Sequence, residues 1–202
     1  KTNLNNTDPK KTSTRNTIKQ NTANMIFYDD SFLKTAFFTK EIPNWEIPIF
    51  YFDFDLQYTS FVRAGITSES KNLTLLYPEN NNLHEDLKSI IEKISKTRSL
   101  VIIDSLNGFF NILEDKKDIG RLVNSFLMLL VSAAKHMKST VIVGILSKLN
   151  DENKWVLRNT GRHVIENEHF TKIQISRTEN NILAKVLNSD NANHQSYSIN
   201  LE

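Results

Sequence analysis

From Met25 onward, short unbroken apolar runs alternate with stretches in which apolar residues return every three or four positions. Unbroken runs of four to eight residues fit strands buried on both faces, and the longer periodic stretches fit helices with one buried stripe. This reading places strands over Met25–Tyr28, Ile47–Phe54, Leu73–Tyr77, Leu100–Ile103 and Thr140–Leu146. A helix is expected from Thr35 to about Ile42, where Pro43 stops it. A second opens at Asn82 with Glu85 three residues on, a capping-box pattern, and shows Leu83, Leu87, Ile90, Ile91 and Ile94 on one face. A third, from about Asp118 to Met137, has a wide apolar stripe that includes Leu122, Phe126, Leu127, Leu130 and Ala134. Strands alternating with helices in this way predict βαβ units around a mostly parallel sheet.

The rhythm changes after Gly161. Val164-Ile165, Thr171–Ser176, Ile182–Leu187 and Tyr197–Leu201 are short segments separated by polar turns, with Glu179-Asn-Asn181 the clearest hairpin turn. An antiparallel meander on one edge of the parallel sheet is expected.

Composition adds a boundary. Residues 1–24 contain five Lys or Arg against one Asp, and only Leu4 and Ile18 as apolar residues beyond alanine. Such a segment buries too little surface to offset its ordering entropy, so 1–24 is expected to be a disordered basic tail and 25–202 the folded domain. The tail reads first as a linker or the remnant of a larger N-terminus, and second as a weak electrostatic arm for nucleic acid or another anion. The chain as a whole carries a net charge of only +2, which gives no global argument for a polyanionic partner. The absence of cysteine excludes disulfides, thiolate metal sites and Cys nucleophiles. No apolar stretch is long enough for a membrane span, so a cytoplasmic protein without membrane contact is expected. The five histidines show no metal spacing, and neither a G-x-S-x-G elbow nor a Ser-His-Asp order occurs.

The candidate chemistry lies at strand ends. Leu100–Ile103 runs into Asp104 and then Ser105. Ligands of open α/β sheets collect at the carboxyl ends of strands, where a carboxylate can hold a cation; an Asp there can equally cap the next helix. Asp53 and Asp55 end the second strand, and Lys34-Thr35 follows the first. The segment Lys148–Arg162 sets Trp155 among Lys148, Lys154, Arg158 and Arg162, a mixture able to stack a base and hold phosphates, although Asp151 and Glu152 stand against this.

In their order, these pieces resemble the RecA/RadA/KaiC class of P-loop ATPase core, over about Met25 to Leu201. The resemblance implies a RecA-like twisted sheet flanked by helices, with a closing antiparallel meander. Leu100–Asp104 looks like Walker B. Tyr51–Gln57 looks like the segment bearing the family's catalytic acid, which would fall on Asp55. Ala184–Ser189 and Tyr197–Ile199 are similar to the closing hairpin of RadA-type proteins. The resemblance further implies ATP and Mg²⁺ as cofactors, with Ser31, Lys34 and Thr35 toward nucleotide and Thr35 and Asp104 toward the metal. It also implies single-stranded DNA as a partner of the Lys148–Arg162 loop, and oligomers with RecA-fold relatives.

One departure is large. Walker A has the form G-x-x-x-x-G-K-[ST], because backbone N–H groups must wrap the phosphates. Here the register is Tyr28-Asp-Asp-Ser-Phe-Leu-Lys34-Thr35, with Tyr28 and Leu33 in place of both glycines and two acids inside. Lys34 then either meets a phosphate or pairs with Asp104 across an empty site. Three functions stay open: a RecA/RadA-like paralogue with impaired hydrolysis acting in DNA recombination or repair, a non-catalytic RecA-fold scaffold like those of Elongator, and a divergent active ATPase.

Overall fold

The computed structural model describes residue 18 and residues 22–79, 81–149, 151, 155–158, 170–187 and 196–201. Its strands are β1 (Ala23–Tyr28), β2 (Ile49–Phe52), β3 (Leu73–Leu76), β4 (Leu100–Ile103), β5 (Thr140–Leu149), β6 (Trp155–Leu157), β7 (Thr171–Arg177), β8 (Asn181–Leu187) and β9 (Ser196–Asn200). Its helices are α1 (Ser31–Glu41), α2 (Gln57–Arg63), α3 (Leu83–Ile94), α4 (Leu106–Ile112) and α5 (Ile119–His136).

The strands form one sheet in the order β3-β2-β4-β5-β1-β7-β8-β9, with β6 pairing to the far end of β5. From β3 across to β7 every neighbouring pair is parallel, and β7-β8-β9 is antiparallel. The meander is therefore joined by its first strand in the parallel sense: β7 lies beside β1, with Phe27 opposite Gln174.

The all-apolar runs become the strands buried on both faces. Every residue of β1, β2 and β4 is buried. One face of the sheet is covered by α3, α4 and α5, through Leu87, Ile90, Phe109, Val123, Leu127 and Leu130. The other face is covered by α1 and its neighbours, through Leu33, Phe37, Phe38, Trp45 and Tyr58. Burying two faces at about 25 cal/mol per Å² of apolar surface is the main force holding the sheet between the helices. Ile18, within the segment expected to be a tail, is itself buried, and its carbonyl accepts from Asn24 Nδ2 at 3.2 Å.

Several local expectations are corrected. The helix after β1 begins at Ser31, four residues before Thr35, because the Asp30 carboxylate accepts from Phe32 N–H and caps it. Asn82 precedes α3 without a side-chain cap; its Oδ1 instead accepts from Glu79 N–H and closes the preceding turn. Strand β5 runs three residues past Leu146, because β6 folds back and supplies it with a partner. Two short helices, α2 and α4, were absent from the sequence reading; at seven residues each they show too little periodicity to register. Val164-Ile165 lies outside the described residues.

Candidate functional site

The carboxyl ends of β2 and β4 and the first turn of α1 meet at one point. Parallel pairing sets Phe52 opposite Ile103, so the residues just beyond each strand, Asp53 to Asp55 and Asp104, gather at one edge of the sheet. Lys34 projects into this cluster from α1. Its ammonium donates to Asp55 Oδ2 at 2.6 Å and to Asp104 Oδ2 at 2.9 Å. Lys34 and Asp104 are fully buried, whereas the Asp55 side chain is 31% exposed. Of the two readings of Lys34, the geometry contains the salt bridge.

Most of the remaining polar atoms nearby have partners; the buried Tyr51 hydroxyl and one oxygen of Asp53 have none among the described residues. Asp104 Oδ1 accepts from Phe54 N–H at 2.9 Å. Asp104 is therefore no helix cap; Ser105 caps α4 instead, accepting from Gly108 N–H. Thr35 Oγ1 lies 3.0 Å from the Ser31 carbonyl and 2.8 Å from Gln57 Oε1, so its one proton is shared between two acceptors. Asp53 Oδ2 accepts from both the N–H and the hydroxyl of Thr59, tying down the first turn of α2. Asp53 Oδ1 is buried and has no partner among the described residues. Carboxylate oxygens of Asp53, Asp55 and Asp104 lie within 4.8 Å of one another.

The electrostatics follow from two carboxylates sharing one ammonium away from water. Burial opposes the charge on Lys34, but Asp104 and Asp55 outweigh it and raise its pKa. Burial would raise Asp55, yet Lys34 prevails and holds that carboxyl below its usual range. Asp104 goes the other way: near-complete burial lifts it well above the carboxylate range, and Lys34 only partly offsets this. The two partners of one ammonium are thus pushed apart, the more exposed Asp55 downward and the deeper Asp104 upward.

Only Asp29 and Asp30 separate β1 from α1. Leu33, one of the two residues standing in the glycine positions, is buried, whereas Phe32 is 66% exposed with its ring 6.3 Å from that of Phe61. The Asp29 carbonyl, next to the turn, accepts from the Arg158 guanidinium at 2.9 Å.

The structure brings Lys34, Asp55, Asp104 and Thr35 together, and Ser31 enters through its carbonyl. Lys148 and Arg158 stand at the β5–β6 hairpin, outside this cluster, and Trp155 lies in the β6 backbone. Lys154 and Arg162 lie outside the described residues. Gln57 and the capping role of Asp30 were not anticipated. An Asp directly before Ser-Phe-Leu is an N-cap signal that could have revealed the second; the first depends on contact between α1 and α2, which no local spacing records.

No family model and no curated protein matches the chain. Solved structures do. The RadB recombinase superposes with a TM-score of 0.57 at 12% identity, over 89% of this chain and 86% of that one. A DnaB-like replicative helicase, solved in a study of its interactions with primase, superposes with a TM-score of 0.56 at 11% identity over 90% of this chain. The chain spans 55% of the length of that helicase. At this identity the likeness establishes the fold, which is RecA-like.

Proposed function

We propose that this RecA-fold chain is a paralogue of RecA/RadA-type ATPases whose hydrolysis is impaired or lost, and that it acts in DNA recombination or repair through nucleic acid or a catalytic relative. The observation that carries the reading is the placement of Lys34. Its ammonium already has two carboxylate partners, on the spot where the resemblance would have it meet phosphate. As arranged, the site does not fit MgATP. Asp30 takes the helix N–H of Phe32, Gln57 engages the Thr35 hydroxyl, and the connection of two acidic residues leaves no glycine-lined backbone to wrap a phosphate. Asp55 and Asp104 serve here as counterions to Lys34. Neither is free to hold a cation until Lys34 leaves.

Support for nucleic acid comes from the hairpin cations Lys148 and Arg158 and from the kind of proteins that share the fold, a recombinase and a replicative helicase. The deciding experiment titrates the full chain with a fluorescent ATP analogue in Mg²⁺ and, separately, with labelled single-stranded DNA. Binding of DNA without micromolar nucleotide affinity supports the reading; micromolar ATP binding abolished by Lys34→Ala refutes it.

A second reading, a non-catalytic scaffold in a larger assembly, is favoured by large apolar residues left in solvent beside the cluster. Phe32 in the first turn of α1 and Leu56, directly after Asp55, are 66% and 53% exposed. Absence of DNA binding at low salt would move the assignment to this alternative.

A further inference from the structure

The sheet carries a second feature at its carboxyl edge, on the other side of β1. Tyr28 is the last residue of β1 and stands opposite Leu146, yet β5 continues to Leu149. On the opposite flank Phe27 pairs with Gln174, and β7 continues to Arg177. Two long strands therefore flank a short one and leave a notch one strand wide, about 10 Å between the flanking backbones. Backbone polarity keeps this notch open. Val141 N–H donates toward β1, to Thr22, whereas the Leu146 carbonyl accepts from Arg158 N–H. Successive residues of a strand point their backbone groups to opposite edges, so odd-numbered residues of β5 face β1 and β6 lies on the other edge. The chain also leaves β1 toward β2 and leaves β7 toward β8, in opposite directions, which is the topological position where open sheets hold ligands.

A cavity of about 710 Å³ occupies the notch. Its floor is apolar, with Phe27, Tyr28 and Leu33, and its rim carries Lys148, Arg158 and Arg177. Ser147, fully buried with a hydroxyl that has no partner among the described residues, forms part of the wall. Arg158 is held in place at three points: its N–H by Leu146, its carbonyl by Asn107 Nδ2, and its guanidinium by the Asp29 carbonyl. That last bond engages one guanidinium nitrogen and leaves other N–H donors for a ligand. Asp29 and Asp30 also line the cavity, so its three cations and two carboxylates leave a formal net charge of +1, with the Asp30 carboxylate turned to the Phe32 N–H. None of Lys34, Thr35, Asp55 and Asp104 is among the lining residues.

We propose that this notch is a phosphate-binding site separate from the Lys34 cluster, in which Arg158 and Arg177 grip the phosphate, Lys148 adds charge, and the apolar floor receives the group that bears it. Arginine suits the role because its planar fork meets phosphate oxygens in pairs. The phosphate belongs either to a free phosphate ester or to a nucleic-acid strand, and only the second source rests on the reading proposed above.

The full chain is titrated with inorganic phosphate, with AMP, and with a short oligonucleotide carrying or lacking a 5′-phosphate. Arg158→Ala and Arg177→Ala should each weaken the phosphate-bearing probes by about tenfold, the loss of one charge-assisted contact, while Lys88→Ala on the exposed side of α3 changes nothing. Circular dichroism verifies that each variant is folded. Inorganic phosphate and AMP binding with this dependence identify a free ester; binding confined to the oligonucleotide and improved by its 5′-phosphate identifies a strand end. No binding by any probe, or binding indifferent to both arginines, overturns the notch and leaves the Lys34 reading standing. Binding of AMP lost in Lys34→Met but kept in both arginine variants overturns the two together.

Discussion

The Lys34 ammonium and the Asp104 carboxylate, 70 residues apart in the chain and both inaccessible to solvent, are bonded at 2.9 Å across the edge of the sheet. Buried charges are tolerated only when paired, so this contact gives the site its resting state. It also explains how a lysine can be wholly buried on the helix that follows β1.

Removing one member should show the cost. Lys34→Ala leaves the carboxylates of Asp53, Asp55 and Asp104 close together with no counterion and is expected to destabilise the fold by about 3–5 kcal/mol. Lys34→Met combined with Asp104→Asn should recover a large part of that loss, because of the two acids that remain Asp55 has access to water and Asp53 keeps its bonds from Thr59. Urea denaturation of the single and double variants measures the coupling. Strict additivity would show that the pair is not energetically linked.

Stability against pH carries opposite signs for the two acids. The pKa of Asp55 is lowered in the folded chain, so its contribution is present above the unfolded value of 3.8 and fades as pH falls through the lower folded value. Asp104 is raised, so its ionisation costs stability as pH climbs from 3.8 through its folded pKa. The advantage of wild type over Asp104→Asn should accordingly shrink as pH rises above about 4, as read from denaturation midpoints at a series of pH values. A constant difference from pH 4 to 8 would contradict the raised pKa.

Gly144 in β5 lies directly against the end of β4. A Cβ there would fall on the backbone carbonyl oxygen of Asp104 and come within 3.3 Å of the Tyr28 ring. Backbone cannot rotate aside as a side chain does, so Gly144→Ala should cost at least the 1–3 kcal/mol typical of overpacking. It should also disturb the Lys34 cluster through Asp104. Thermal unfolding with chemical shifts of the Lys34 side chain tests both; an unchanged melting point would disprove the close approach.

Nucleic-acid binding, where it occurs, should be sequence-tolerant and strongly salt-dependent, because it rests on counterion release. Removing residues 1–15 takes away four cations and should lower the salt slope without unfolding the domain. Trp155→Ala should weaken single-strand binding by about 1–3 kcal/mol through loss of base stacking. A salt series on wild type and both variants distinguishes the arm from the hairpin.

The sequence by itself determined those features that are written locally. Leu100–Ile103 reads as a strand buried on both faces, since four consecutive apolar residues, three of them β-branched, leave no polar side to turn to water. The period of Leu83, Leu87, Ile90 and Ile94 likewise dictated a helix with one buried stripe, and the antiparallel turn at Glu179–Asn181 followed from turn chemistry. That Asp104 ends a central strand was legible too. Tertiary structure alone decided what Asp104 and Lys34 do. Their bond depends on β4 lying two strands from β1 and on α1 starting at Ser31, and the start is set by competition between a glycine-free loop and the cap offered by Asp30. The link from Thr35 to Gln57 and the notch between β5 and β7 are of the same kind. They arise from strand order and strand length, which bring together residues that no spacing along the chain relates.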